Sequence, residues 1–217
     1  MSRGDLVRVV DLVSRADLNG KHGLVVGPPV EETGRIPVCI LGTSPIVGVN
    51  LKPANVHVET DVPENVRVQA WNDLGVAYSE EKLFSQSLEA LEEGLRLSQS
   101  FDSSIPGVRE ETCRSLSNIA WLCLVMNRNG VDMKGDMTVK QVMEWAMRQM
   151  FGDVISTLPK EANILFGAGK VPGKEEHHLI MTVMEGEDPK PRYFVVDEDR
   201  YCVYEFSHPD SKEENEP

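Results

Sequence analysis

The sequence predicts an α+β chain of several modules: a small all-β barrel, a short helical-repeat segment and a C-terminal antiparallel β-meander. Three observations carry that reading. From Asp5 to Val58 the apolar residues are mainly Val, Ile and Leu, interrupted by the turn signals "NG", "GPP", "TG" and "LGTSP". From Val66 the apolar period lengthens to that of a helix, and beyond Glu176 short β-type runs return. The expected units are a barrel over 1–58, helices over 66–159, a small β element over 174–207 and a disordered tail over 208–217.

The barrel strands are expected over 6–11, 23–27, 35–41 and 47–51, followed by a turn at "KPANV". Asn19-Gly20 and Gly34 supply the tolerance for positive φ that tight turns need. Closing so small a sheet hides its edges. The set Leu18, Asn19, Gly20, Gly23, Val25, Gly27, Gly34, Arg35, Val38, Leu51, Lys52, Pro53 and Asn55 resembles the SH3-like barrel repeat of protist and algal proteins. Members of that family often carry MYND zinc fingers or helical repeats, but no MYND cysteine array is present. A shorter run, "NGKHGLVVG", resembles the KOW-type loop of ribosome and transcription factors.

In the helical segment, Val68, Trp71, Leu74, Gly75 and Tyr78 recur at helical intervals, as do Phe84, Leu88, Leu91 and Leu95, with a join near Lys82. Trp71, Leu74, Gly75, Tyr78, Phe84 and Ser87 resemble the tetratricopeptide (TPR) signature, with Gly94 where Ala is usual. Gly94 is expected to cost about 1 kcal/mol of helix propensity. "CRSLSNIAWLCLVMNRNG" and "MTVKQVMEWAMRQMFGDVI" form the two helices of a second, degenerate repeat, separated by an insertion around 131–136. Two repeats are fewer than a stack normally requires, so the β portions are expected to cap them. Beyond Pro159, "FGAGKVPGKEE" reads as a flexible linker before three strands, "HHLIMTVM", "RYFVVD" and "RYCVYEF".

Composition narrows the function classes. The 41% hydrophobic and 26% charged content belongs to a folded globular chain. Net charge is -13, yet Arg3, Arg8, Arg15, Lys21, Arg35 and Lys52 outnumber Asp5, Asp11, Asp17, Glu31 and Glu32 by one within 1–58. The remainder would repel a phosphate backbone, so nucleic acid is disfavoured as a partner. Cys39, Cys113, Cys123 and Cys202 form no C-x-x-C pair and read as buried thiols. No leader or long apolar run is evident, so no membrane association is expected and the location is cytoplasmic or nuclear.

Gly169-Lys170 continues into Val171-Pro172, which removes the hydroxyl and the helix start of a phosphate loop. His177 and His178 face opposite ways on a strand, so with Glu175 and Glu176 they read as a polar strand entry rather than a metal site. Asp197, Glu198 and Asp199 read as a solvated turn, and Glu92-Glu93 and Glu110-Glu111 as solvent faces of helices. His22 is expected to be exposed. No G-x-S-x-G motif occurs. No catalytic, cofactor-binding or metal-ligating residue is therefore assigned. Residues 1–58 contain no Phe, Tyr or Trp, which disfavours a proline-rich-peptide groove or an aromatic cage, and leaves loops such as "GPPVEETG" for any recognition there.

What remains is an interaction surface. The TPR resemblance implies a concave face with solvent-facing positions at Gln69, Asn72, Val76, Ser79, Arg114, Ser117, Trp121 and Leu124. Asn72 and Val76 replace the residues of a carboxylate clamp, so none is expected. Trp121 and Leu124 have a competing reading as core covered by the C-terminal strands. The leading expectation is a non-enzymatic adaptor or complex subunit with a protein or peptide partner. The alternatives are a small-ligand-binding protein or enzyme with a pocket expected between the helices and the C-terminal strands, lined by Trp145, Tyr201 and Tyr204, and an RNA- or ribosome-associated KOW-like factor.

Overall fold

The structure, a computed structural model, describes residues 1–102, 104–133, 137–185, 190–197 and 202–206. The expected tail over 208–217, together with Glu198, Asp199 and Tyr201, lies outside the described residues. The chain is mixed α+β, with five helices and two antiparallel sheets among the described residues. It divides into two compact units, Met1–Ser115 and Leu116–Pro217.

The first unit begins with β1 (Leu6–Val9), β2 (His22–Val25), β3 (Ile36–Ile40), β4 (Val47–Leu51) and β5 (Val56–Val58), in the order β4-β3-β2-β1-β5. Strand β1 sits between β2 and β5, with Leu6 opposite Leu24 and Val9 opposite Val56. The five-stranded count exceeds the four strands expected, because Val56–Val58 directly follows a one-turn 3-10 helix at Pro53–Asn55 and is only three residues long.

Strands β2 and β3 are buried on both faces over most of their length, which is why they are apolar runs, whereas β1 exposes Arg8 and β4 exposes Gly48 and Asn50. Val7, Val9, Val25, Val38, Ile40, Leu51 and Val56 gather in one cluster with Leu18. Leu6, Leu24 and Cys39 point the other way and pack with Ala70, Trp71, Leu74 and Ala90. Asn19 holds the β1–β2 connection by accepting from the Leu12 N–H at 2.8 Å and donating to the Leu12 carbonyl at 2.9 Å. Asn55 donates to the carbonyls of Val10 and Asp11 at 3.1 and 3.0 Å, where Asp11 has a φ of 53°.

Helices α1 (Glu64–Glu80) and α2 (Phe84–Ser100) form an antiparallel pair whose tight join contains Lys82 at φ 61°. Gly75 makes their close approach attainable, since a Cβ there would lie 2.5 Å from Leu91 Cδ2. Ser87 donates its hydroxyl to the Gly75 carbonyl at 2.7 Å across the same contact. Gly94 has a packing reason in place of a bare propensity cost: a Cβ would stand 3.2 Å from both Asn72 Oδ1 and Trp71 Cβ.

Helix α3 (Val108–Arg128) runs from the first unit into the second. The second unit continues with α4 (Val139–Met150), α5 (Gly152–Ile155) and a sheet of β6 (Asn163–Lys170), β7 (His177–Met184), β8 (Arg192–Asp197) and β9 (Cys202–Phe206), each strand beside the next. The expected linker at "FGAGK" is thus corrected to a strand. All eight residues of β6 are in register with β7, from Asn163 opposite Met184 to Lys170 opposite His177. Alternating Leu179, Met181 and Val183 are buried on β7, and Phe166 of β6 lies 6.2 Å from the ring of buried Phe151.

Candidate functional site

The side of the first unit where Leu6 of β1 and the start of β2 meet α1 contains a groove of about 630 Å³. Leu6, Leu41, Val62, Val66 and Ala70 give it an apolar floor and wall; Lys21, His22, Glu59, Gln69 and Asp73 supply polar groups. The local sequence places each element. Strand pairing sets Arg8 opposite both His22 and His57, and β5 delivers Glu59 immediately afterwards. The helical spacing of Val66, Gln69, Ala70 and Asp73 aims one stripe of α1 into the groove.

The charges of the rim are partly neutralised within the protein. Arg8 Nε lies 3.2 Å from Glu59 Oε1, and exposed His22 Nε2 is 3.9 Å from the same oxygen. Arg114 of α3 lies 3.3 Å from Asp73 Oδ1. Partial desolvation raises the Asp73 carboxyl above its ordinary range, and Arg114 opposes that shift. An apolar anchor can be desolvated on the floor while Lys21, Gln69 and Glu59 offer hydrogen bonds beside it.

The eight expected surface positions are divided between the two units. Gln69 lines the groove. Val76 is exposed and Ser79 is half-buried on the same helix. Asn72 is corrected from a solvent-facing position to a fully buried one. Its Nδ2 donates to the carbonyl and Oε2 of Glu111 at 3.3 and 3.0 Å, and its Oδ1 accepts from the Ser115 hydroxyl at 2.8 Å. Asn72 therefore docks α3 on α1 through a satisfied polar network. Ser117 is likewise buried, while Arg114, Trp121 and Leu124 are half-buried. Ser117, Trp121 and Leu124 belong to the second unit.

Of the residues expected around a ligand pocket, Tyr204 lines a cavity of about 320 Å³ with His178, Asp197, Glu175 and Glu176. Trp145 is exposed on α4 and is absent from that lining. Cys39 and Cys123 are buried thiols and Cys113 is half-buried. Burial raises the Cys39 thiol above its ordinary value, and its Sγ lies 3.1 Å from the Tyr78 hydroxyl. Among the described residues, no group of three or more His, Cys, Asp or Glu could hold a metal ion, and no helix is long and apolar enough to cross a membrane.

Sequence reasoning did not find the groove, because its lining comes from five separated stretches and its apolar members are ordinary core residue types. The one available signal was Val66, an apolar residue two positions before buried Val68 and hence off the buried stripe of α1. No protein-family model, curated protein or solved structure matches the chain.

Proposed function

We propose that this chain is a non-enzymatic protein-interaction adaptor or complex subunit that receives an apolar anchor of a protein or peptide partner in the groove beside α1. The carrying observation is that groove: an apolar floor with Lys21, His22, Glu59, Gln69 and Asp73 around it. Specific interfaces concentrate their affinity in such desolvated centres surrounded by polar rims. In this reading the five-stranded sheet is the SH3-like module and α1–α2 the TPR-like one. Support for the first comes from the antiparallel order β4-β3-β2-β1-β5 and the two asparagine clasps. Support for the second comes from the Gly75–Leu91 and Ser87–Gly75 contacts of the helix pair.

A small-ligand reading draws on one further observation, since about 630 Å³ falls within the size of small-molecule pockets. The KOW-like reading predicts salt-sensitive RNA binding, which a net charge of -13 opposes. The discriminating experiment is affinity capture from the native cells with the full chain and with Val66→Asp, whose side chain is 38% exposed in the native protein. A partner set retained by the wild type and lost from Val66→Asp, at unchanged melting temperature, supports the adaptor. A wild type that captures nothing but is stabilised by a metabolite in a thermal-shift screen moves the function to the small-ligand class.

A further inference from the structure

Strand β6 is an edge of the second sheet: among the described residues it pairs with β7 alone. Edge strands present unpaired N–H and C=O groups, and proteins usually blunt them with charge, proline, a bulge or short length. Here the strand is eight residues long, unbroken in register, and without a charged residue or proline from Asn163 to Ala168. The opposite edge, β9, differs: its Glu205 is held by Arg192 at 2.8 and 2.9 Å.

Two features of β6 have no explanation among the described residues. Leu165 is 53% exposed on the sheet. Gly167 has no positive φ, and a Cβ placed on it would meet nothing within 4 Å. Neither backbone conformation nor packing within the described residues calls for glycine there, although glycine weakens a strand interior. A strand-interior glycine marks a bulge, a bend, or the close approach of a ligand or another backbone, and the unbroken β6–β7 register shows no bulge here.

We propose that two copies of this chain pair β6 to β6 in antiparallel register about a two-fold axis at Gly167, joining their four-stranded sheets into one of eight strands. A two-fold perpendicular to the sheet keeps corresponding faces on the same side, so directly opposed residues must share a face. Centring on Gly167 sets Leu165 opposite the partner copy's Gly169, and Phe166 opposite its Ala168. The order Leu165, Phe166 followed by Gly167, Ala168, Gly169 is thereby self-complementary, each of the two large side chains facing a small one, while Ile164 stands opposite Lys170. Centring on Phe166 would instead oppose two phenylalanines and set Leu165 against Gly167.

The area sets the strength. In this register residues 164–170 of the two copies oppose one another; seven residues at ~3.3 Å each give a strip about 23 Å long, and with a thickness of ~10 Å the two copies bury roughly 460 Å² in all. Stable dimers bury about 1,200 Å² or more. The pair is therefore a concentration-dependent dimer in the micromolar to millimolar range. Each copy carries a net charge of -13, so screening by salt strengthens the association, the reverse of charge-driven binding. The inference is independent of the groove and of the adaptor reading.

Analytical ultracentrifugation of the full chain over a concentration series tests it. The mass is expected to rise from 24.2 kDa toward twice that value, further at about 500 mM than at about 50 mM salt, and to stay monomeric for Leu165→Lys with its melting temperature retained. Register is read by cysteine cross-linking with oxidised glutathione. Opposed strand residues have Cα atoms about 4.5 to 5.5 Å apart, within disulfide reach. Gly167→Cys should give a reducible dimer on a gel, exceeding the wild-type background of the native cysteines, and Ala168→Cys should not. A wild type that remains at 24.2 kDa up to about 1 mM protein, or a dimer unaffected by Leu165→Lys, overturns the pairing. Cross-linking stronger at Ala168→Cys overturns the register, and open polymers overturn the closed pair.

Discussion

Asn72 shows how a single residue changes meaning between one dimension and three. Its amide serves two helices at once, with donors on Glu111 and an acceptor facing Ser115, in a position without solvent access. Asn72→Ala should cost about 1 to 3 kcal/mol, because the deletion leaves buried polar groups of α3 with fewer partners. Urea unfolding measures it; a loss under about 0.5 kcal/mol would mean that water replaces the amide. Cys39 makes a second prediction, with a definite sign. Burial raises its folded-state value, so both states hold the proton at neutral pH and the unfolded chain releases it first, above about 8.5. Stability is fully present below that point and falls as pH rises, by at most about 1.4 kcal/mol per pH unit. Comparing urea midpoints of wild type and Cys39→Ala between pH ~7 and ~9.5 isolates the effect; parallel curves would show that Cys39 does not carry it. Tyr78, also raised by burial, adds to the same trend only at still higher pH.

At the scale of elements, legibility tracked the strength of the local period. The α1–α2 pair was legible because Trp71, Leu74, Gly75 and Leu91 repeat at helical spacing over two long helices, and the join near Lys82 falls where the sequence places it. Four strands of the first sheet were legible from their apolar runs and flanking glycines. The fifth was not, since three residues carry too little pattern and depend on pairing with β1, nearly fifty positions away in the chain. Strand β6 failed for a different reason. Gly167 and Gly169 carry the local signal of a breaker, while the determinant of the strand is β7, whose register supplies a partner for every residue. Leu165 and Phe166 pointed the other way, but two residues do not outweigh two glycines. The candidate site was the least legible part. Of the eight positions named for it only Gln69 lines the groove, because a TPR-type concave face assumes a free α1, whereas here Ala70, Trp71 and Leu74 of α1 pack on the sheet.

That shared core governs how the first unit behaves as a whole. Leu6, Leu24 and Cys39 need Ala70, Trp71, Leu74 and Ala90 to keep them from water, and further ties bind the same elements. Arg3 lies 2.6 Å from Glu89 and its guanidinium sits 5.4 Å from the Trp71 ring centre; the Ile46 N–H donates to Glu81. A fragment of 1–58 would uncover one apolar face of its sheet. Chains of about 60 residues bury only about 60% of the surface they expose when unfolded, leaving no reserve for such a loss. The fragment's charge near neutrality also favours association. It should therefore unfold without cooperativity or aggregate, whereas 1–115 should show a single urea transition with slope proportionate to its size. A dispersed amide spectrum and a sharp transition from 1–58 alone would instead establish the sheet as self-sufficient. If the shared core holds, removing 1–58 also strips the cover from α1 and α2, so a partner lost on deletion could have left either module. Only an exposed point change in the groove, such as Val66→Asp, separates loss of recognition from loss of the fold that supports it.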